Sequence, residues 1–211
     1  SHYLLDLVLA TWMEHKYTKQ YCEENVYHLC QEQQFDGDEG YVVFISNSRN
    51  CFPILYQRIS SDPPNVECFW DYHVVYLSKK STEEAMIWDL DTTLRFPESF
   101  SVYCRQAFKT ARDYASKYNP QFRVIKKEDF ISQFYSDRSH MLKKDETGKI
   151  LEPREYLAPP PTWPICEPAR DIETPVQMSL MDILDSFKEE QHILSLVNFY
   201  NFGTGLNNEC I

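Results

Sequence analysis

The feature of this sequence that most restricts its fold is a pair of strand-like segments separated by six polar residues. Residues 68–78 and 85–91 are rich in aromatic and β-branched side chains, and the polar residues 79–84 are typical of a hairpin connection. If the turn is centred on Ser81, the antiparallel register sets His73 opposite Asp89. Opposed residues lie on one face with Cβ atoms about 4.5–5.5 Å apart, so this carboxylate could hold this imidazole.

Helical and strand-like patterns surround the hairpin and predict one compact α/β unit. Apolar residues at helical spacing begin at Cys22 and continue to about residue 34. The remaining predicted strands are residues 41–46, 52–58 and 121–126, and the remaining predicted helices are residues 97–118, 127–134 and 179–187. Residues 152–168 are rich in proline and predict an extended loop of the kind that often lies across a site.

Composition favours one domain in a reducing compartment. The chain has 211 residues, of which 43% are hydrophobic, and this is enough for a substantial core. The net charge of -11 disfavours nucleic acid and anionic membrane surfaces as partners. Seven cysteines without a CxxC motif argue against a disulfide framework or a zinc site and favour the cytoplasm and nucleus. Residues 1–13 are apolar but too short to span a bilayer, so we expect a packing helix there.

The residue types at these positions suggest an activated thiol. Cys22 is predicted to begin a helix, where unpaired N–H groups and a nearby imidazolium can lower a cysteine pKa. His73 would take the thiol proton while Asp89 fixes its tautomer, which is the chemistry of acyl transfer through a thioester. Asp91 shares the face of Asp89 and is the alternative acid. Taken singly, a helical cysteine or a strand histidine is more often structural, and the register match is what favours catalysis.

Seven segments of the chain carry a wider resemblance. They are YCEEN at 21–25, FISN at 44–47, WDYHVV at 70–75, DLDT at 89–92, FRVI at 122–125, SDRSHM at 136–141 and the proline loop at 159–165. In this order they resemble the protein N-terminal glutamine amidohydrolases, the family named for its WDYHV motif. The resemblance covers roughly residues 17–183, with residues 1–16 as an N-terminal extension and residues 17–211 as a single catalytic domain.

The resemblance implies both a fold and an activity. The implied fold is a compact α-β-α sandwich with a mainly antiparallel sheet and a papain- or transglutaminase-like core. The implied catalytic triad is Cys22, His73 and Asp89, and the implied reaction deamidates N-terminal glutamine to glutamate and releases ammonia without a cofactor or metal. In the eukaryotic N-degron pathway that glutamate is then arginylated. The expected partners are proteins or peptides with a free N-terminal glutamine, and the expected state is a monomer.

An enzyme that acts only at a chain start must sense the free α-amine, and buried acids can do so through charge-assisted hydrogen bonds. The candidates are Glu23, Asp71 and Asp137, for each of which a salt bridge or a cap is an alternative role. Two other functions remain open from the residues alone. One is a papain- or transglutaminase-like protease or acyl transferase, and the other is a module that binds protein N-termini without catalysis.

Overall fold

A computed structural model of the chain describes residues 15–80, 83–168 and 177–205. The helix expected over residues 1–13 and the predicted turn centre at Ser81 lie outside these ranges. Within them, no helix combines the length and the apolar character needed to cross a membrane.

The framework is a six-stranded antiparallel sheet with the strand order β10-β7-β1-β4-β5-β6. Two small sheets, β2-β3 and β8-β9, accompany it. The strand bounds are β1 Glu39–Ser46, β2 Phe52–Ile54, β3 Cys68–Trp70, β4 His73–Lys79, β5 Met86–Trp88, β6 Glu98–Ser99, β7 Gln121–Lys126, β8 Phe134–Tyr135, β9 Met178–Ser179 and β10 Leu194–Ser195. The predicted hairpin strands are therefore neighbours, as β4 and β5.

Helices cover both faces of the large sheet. Their bounds are α1 Cys22–Leu29, α2 Phe100–Ala107, α3 Lys127–Gln133, α4 Leu180–Glu189 and α5 Leu196–Thr204. Alternate residues of β1 enter two separate cores: Val42 and Phe44 pack with residues of α1, α3 and α4, whereas Val43 and Ile45 pack with residues of α2 and α5. This alternation follows from the two-residue period of a strand, and it gives three layers, α-β-α.

Several predicted elements are shorter in the structure. The predicted strand 68–78 divides into β3, which pairs with β2 in a small sheet, and β4, which belongs to the large sheet. At the division, the side chain of Asp71 accepts a hydrogen bond from the N–H of Tyr72 at 2.8 Å. The predicted helix 97–118 ends at Ala107, whose carbonyl accepts from the N–H of Leu55 and thereby anchors the chain after β2. Helix α5 was not predicted, because its sequence is apolar around most of its circumference and shows no helical stripe.

The predicted hairpin register is wrong. In the structure, Tyr76 pairs with Trp88 and Leu77 pairs with Ile87. If this register is continued along the strands, Asp91 and not Asp89 is opposite His73. Asp89 lies just beyond the end of β5, where the chain leaves the sheet. The error is two residues, so it preserves the face on which each side chain lies.

Close packing of α5 against α2 requires a residue without a side chain at position 203. A Cβ added to Gly203 would overlap the ring of Phe100, which is fully buried. We expect Gly203→Ala to lower the free energy of unfolding by about 1–3 kcal/mol through overpacking, although alanine is the better helix former. Urea denaturation measures the change. Val197→Ala is the matched control, since that side chain of α5 is 63% exposed, and an equal loss in both variants would contradict this prediction.

Candidate active site

Cys22 is the first residue of α1, and its sulfur lies against the start of β4. The thiol is 7% exposed, and the main-chain N–H of Val74, the residue after His73, donates a hydrogen bond to the sulfur. The sulfur is also 3.7 Å from Oε2 of Glu23. The cysteine is therefore placed at the end of β4 that carries His73.

His73 and Asp89 form a buried pair. Nε2 of His73 is 2.8 Å from Oδ1 of Asp89, and both side chains are fully buried. Three further donors converge on the carboxylate: Gln57 Nε2 at 3.0 Å, the Tyr103 hydroxyl at 2.8 Å and the main-chain N–H of Asp91 at 2.9 Å. Asp89 reaches the imidazole from beyond the strand end, and the predicted contact is present despite the wrong register.

The electrostatics of this pair favour a positive imidazole. Burial alone would lower the pKa of His73, but attraction to Asp89, its hydrogen bond and the charge of Asp91 outweigh burial and raise that pKa. Burial acts to raise the pKa of Asp89, whereas His73 and the other donors lower it. Nδ1 of His73 is buried without a hydrogen-bond partner in the described part of the chain, and the indole of Trp70 stacks on the ring.

The surroundings of the thiol favour its protonated form. Burial raises the pKa of Cys22 well above its ordinary value, and the charges of Glu23, Asp91 and Asp71 raise it further. The expected lowering by a helix N-terminus and an imidazolium is not observed. The hydrogen bond from Val74 acts in the lowering direction but does not prevail.

Asp91, the alternative acid, has a different partner. Its Oδ1 accepts a hydrogen bond from the hydroxyl of Tyr17 at 2.6 Å. Ligand atoms of His73, Asp89 and Asp91 lie within 4.8 Å of one another, a spacing that a metal ion could use. Asp89 is already satisfied by four donors, however, so hydrogen bonding accounts for this arrangement.

The three acids predicted to bind the substrate amine occupy different environments. Glu23 is fully buried next to Cys22, and its Oε2 accepts from the hydroxyl of Tyr72 at 2.9 Å. Asp71 and Asp137 are exposed, and each accepts a hydrogen bond from a nearby main-chain N–H. Burial lowers the pKa of His140. The nearby charges of Asp71 and Asp137 oppose this lowering but do not overcome it. His140 Nε2 is in turn 3.6 Å from Glu23 Oε1.

Glu24 connects several segments around the site, a role that the sequence did not indicate. This buried carboxylate accepts from Arg138 Nε and Nη2 at 2.7 and 2.8 Å, from the Ser136 hydroxyl at 3.1 Å and from the Trp163 indole at 2.7 Å. Arg138 also donates to the main-chain carbonyls of Pro161 and Trp163. Helix α1, the 136–141 segment and the proline loop are thus joined through one ion pair.

A separate hollow lies between α2 and α5. Its volume is about 1110 Å³, and the cations on its wall are Arg105, Lys109, Arg112 and Lys117. No member of the Cys22, His73 and Asp89 group lines it. The hollow is therefore distinct from the candidate active site.

Comparison with known proteins points to one family. A family model described as N-terminal glutamine amidase matches residues 17–204, which extends the resemblance through α5. The protein N-terminal glutamine amidohydrolase of Homo sapiens is 41% identical over 155 residues, which cover 72% of this chain and 71% of that protein. The Bos taurus protein of the same name is also 41% identical over 155 residues, 72% of this chain and 70% of the relative. The Arabidopsis thaliana protein is 33% identical over 192 residues, 86% of this chain and 82% of the relative.

The buried Glu24 and Arg138 pair should contribute strongly to stability. We expect Arg138→Met to lower the free energy of unfolding by about 3–5 kcal/mol, because it leaves the Glu24 carboxylate buried without its cation. Lys143→Met is the control, since Lys143 forms an exposed pair with Glu155 at 2.8 Å and should change the same quantity by about 1 kcal/mol or less. Urea denaturation midpoints that shift equally in the two variants would refute this role of Arg138.

Proposed function

Since this chain belongs to the N-terminal glutamine amidase family and deamidates N-terminal glutamine to glutamate, we propose that it does so with Cys22, His73 and Asp89 as a catalytic triad. The observation that carries the proposal is the buried His73 and Asp89 pair. Nδ1 of His73, which has no hydrogen-bond partner among the described residues, lies at the same strand end as the thiol. One imidazole nitrogen is fixed by the acid, and the other remains available for proton transfer.

The proposed reaction has two halves. In the first, neutral His73 takes the thiol proton at Nδ1 while the sulfur attacks the side-chain amide carbon of the N-terminal glutamine. The tetrahedral oxyanion is stabilised by the main-chain N–H of Cys22. This group lies at the N-terminal end of α1, where N–H groups have no acceptor within the helix. His73 then returns the proton to the departing nitrogen, the carbon–nitrogen bond breaks, and ammonia leaves a thioester.

In the second half, water hydrolyses the thioester. His73 takes a proton from the water, the hydroxide adds to the acyl carbon, and the carbon–sulfur bond breaks. The thiolate recovers the proton from His73, and the product is an N-terminal glutamate. Asp89 keeps Nε2 protonated throughout and stabilises the imidazolium that forms in each half, and no cofactor or metal is needed for these steps.

Recognition of the free N-terminus is proposed to depend on the acids around the thiol. Glu23 lies next to the nucleophile, and Asp71 and Asp137 make the surface around His140 negative. An ammonium group would be attracted to such a surface. Asparagine is one methylene shorter than glutamine, and a pocket discriminates one methylene by only about 1–3 kcal/mol, so misplacement of the amide must supply the rest.

The cellular setting is also a proposal. Six cysteines of the described residues are free thiols, which supports a reducing compartment such as the cytoplasm and nucleus. A papain- or transglutaminase-like core, one catalytic domain from residue 17 onward and a monomeric state complete the proposal. Proteins that begin with glutamine would be the partners, neither nucleic acid nor a membrane would be required, and the glutamate product would feed arginylation in the N-degron pathway.

Peptide substrates distinguish this mechanism from the two alternatives. We expect ammonia from a peptide with a free N-terminal glutamine, and none from its N-acetylated form or from a peptide with only internal glutamine. Cys22→Ala should abolish release, and Asp89→Asn should lower kcat by roughly 10³–10⁴-fold because the imidazole loses its correct tautomer. Ammonia assays with mass analysis measure both. Peptide cleavage or internal deamidation would instead support the protease or transglutaminase, and binding without ammonia would support the recognition module.

The raised pKa of His73 predicts the acid side of the pH profile. The imidazole must be neutral to accept the thiol proton, so activity is present above the His73 pKa and is lost as pH falls through it. We expect the acidic limb of kcat/KM to have its midpoint above about 6.5, the ordinary histidine value. Asp89→Asn should move this midpoint to lower pH because the attraction that raises the pKa is removed. An unchanged midpoint in this variant would contradict the assignment of the limb to His73.

A further inference from the structure

Two adjacent buried glutamates of α1 are satisfied very differently. Both carboxylates are fully buried. Each oxygen of Glu24 accepts from at least two donors, and Arg138 neutralises the charge. Glu23 Oε2 accepts from the Tyr72 hydroxyl at 2.9 Å and from the Cys22 thiol at 3.7 Å, whereas Glu23 Oε1 has no hydrogen-bond partner in the described part of the chain. A buried carboxylate oxygen without a donor is costly, so it requires an explanation.

His140 does not supply the missing positive charge. Its Nε2 is 3.6 Å from Glu23 Oε1, beyond hydrogen-bonding distance, and is 3.1 Å from the hydroxyl of Tyr72. Burial lowers the pKa of His140 in spite of the opposing charges of Asp71, Asp137 and Glu24, so the ring is neutral at neutral pH. Among the described residues, His140 is the one basic side chain within ion-pairing distance of Glu23. The carboxylate therefore has a vacant acceptor and no cation.

The substrate has a cation at a matching position. In an N-terminal glutamine, three carbons separate the α-nitrogen from the amide carbon that the sulfur attacks. With bonds of about 1.5 Å, a bent side chain brings these two atoms within roughly 4–5 Å of each other. The Glu23 carboxylate is 3.7 Å from the sulfur, so an ammonium bound to this acid would hold the amide carbon beside the nucleophile.

Resting on the proposed function, we infer that Glu23 Oε1 binds the α-ammonium of the N-terminal glutamine, and that this charge allows the Cys22 thiolate to form beside a buried acid. The substrate thereby completes the electrostatics of the site. Before it binds, Glu23, Asp91 and Asp71 all oppose a negative sulfur. An ammonium bound at Glu23 adds a positive charge beside the sulfur and offsets part of this opposition.

The acid–base state of Glu23 agrees with this role. Burial raises its pKa to about 7, so the free enzyme holds this group partly protonated near neutral pH. An ammonium at Oε1 would favour the carboxylate and release its proton. A substrate without the α-amine would leave the group partly neutral and the thiol still opposed by negative charges. Such a substrate should therefore lose reaction rate as well as affinity.

The test compares one peptide that begins with glutamine and the same peptide in which a 5-amino-5-oxopentanoyl group replaces glutamine, so that only the α-amine is missing. For the wild type we expect kcat/KM to fall about ten- to one-hundredfold or more, the effect of a charged hydrogen bond, with part of the loss in kcat. In Glu23→Gln the two substrates should differ by only about threefold or less, because the variant has no charge to pair. Glu146→Gln, which removes an exposed acid, should keep the wild-type ratio.

Each outcome bears on one statement. If the ratio of kcat/KM between the two substrates is as large in Glu23→Gln as in the wild type, the assignment of Glu23 is overturned. If removal of the α-amine raises KM but leaves kcat unchanged, the proposed activation of the thiol is overturned. A merely structural defect would slow both substrates equally and leave the ratio intact. If Glu23→Gln does not fold, Tyr72→Phe removes the hydroxyl that holds Oε2 and should reduce the ratio, and an unchanged ratio there would also overturn the assignment. Failure of the wild type to release ammonia from the glutamine peptide would instead refute the proposed function.

Discussion

The site depends on the removal of one carboxylate, Asp89, from water. A buried charge is tolerated only when donors surround it, and here the donors come from four parts of the chain. They are Gln57, which lies three positions after β2, the first residue of β4, the middle of α2 and the main chain beyond β5. Because each donor is fixed to a different element, the sheet, α2 and the loops must all be in place before the charge is satisfied.

A second buried carboxylate, that of Glu24, likewise accepts hydrogen bonds from separate parts of the chain. Glu24 joins α1 to the 136–141 segment and to the proline loop through Arg138 and Trp163. Cys22 therefore lies between two polar networks, one on each side of the sheet end. Cys22 itself also belongs to the apolar core, together with Val26 and Leu29 of its own helix.

The sequence predicted the regular elements with strong periodicity and named candidate site residues, but it did not predict the contacts between distant segments. Strand β7 and helix α4, with its serine cap, agree closely with the prediction, because their apolar pattern and capping residues are local signals. The hairpin register was wrong because the turn centre was assumed. The donors Gln57 and Tyr103 were missed because nothing near them in the sequence indicates which carboxylate they would meet.

The roles of the two glutamates of the YCEEN motif illustrate the same limit. They are adjacent in sequence, yet Glu24 forms an ion pair with a residue more than a hundred positions away, whereas one oxygen of Glu23 has no hydrogen-bond partner within the described ranges. Only tertiary contacts separate a structural acid from a candidate binding acid. The motif could show that both acids matter to the same region, and the structure was needed to assign them different surroundings.

The raised pKa of the buried thiol has a consequence for redox chemistry. Oxidants such as hydrogen peroxide attack the thiolate, so a cysteine that stays neutral at rest reacts slowly with them. A permanent, exposed thiolate would react with such oxidants faster and form sulfenic acid more readily. Because burial and the surrounding acids oppose ionisation, we expect the resting cysteine to react with oxidants more slowly than such a thiolate.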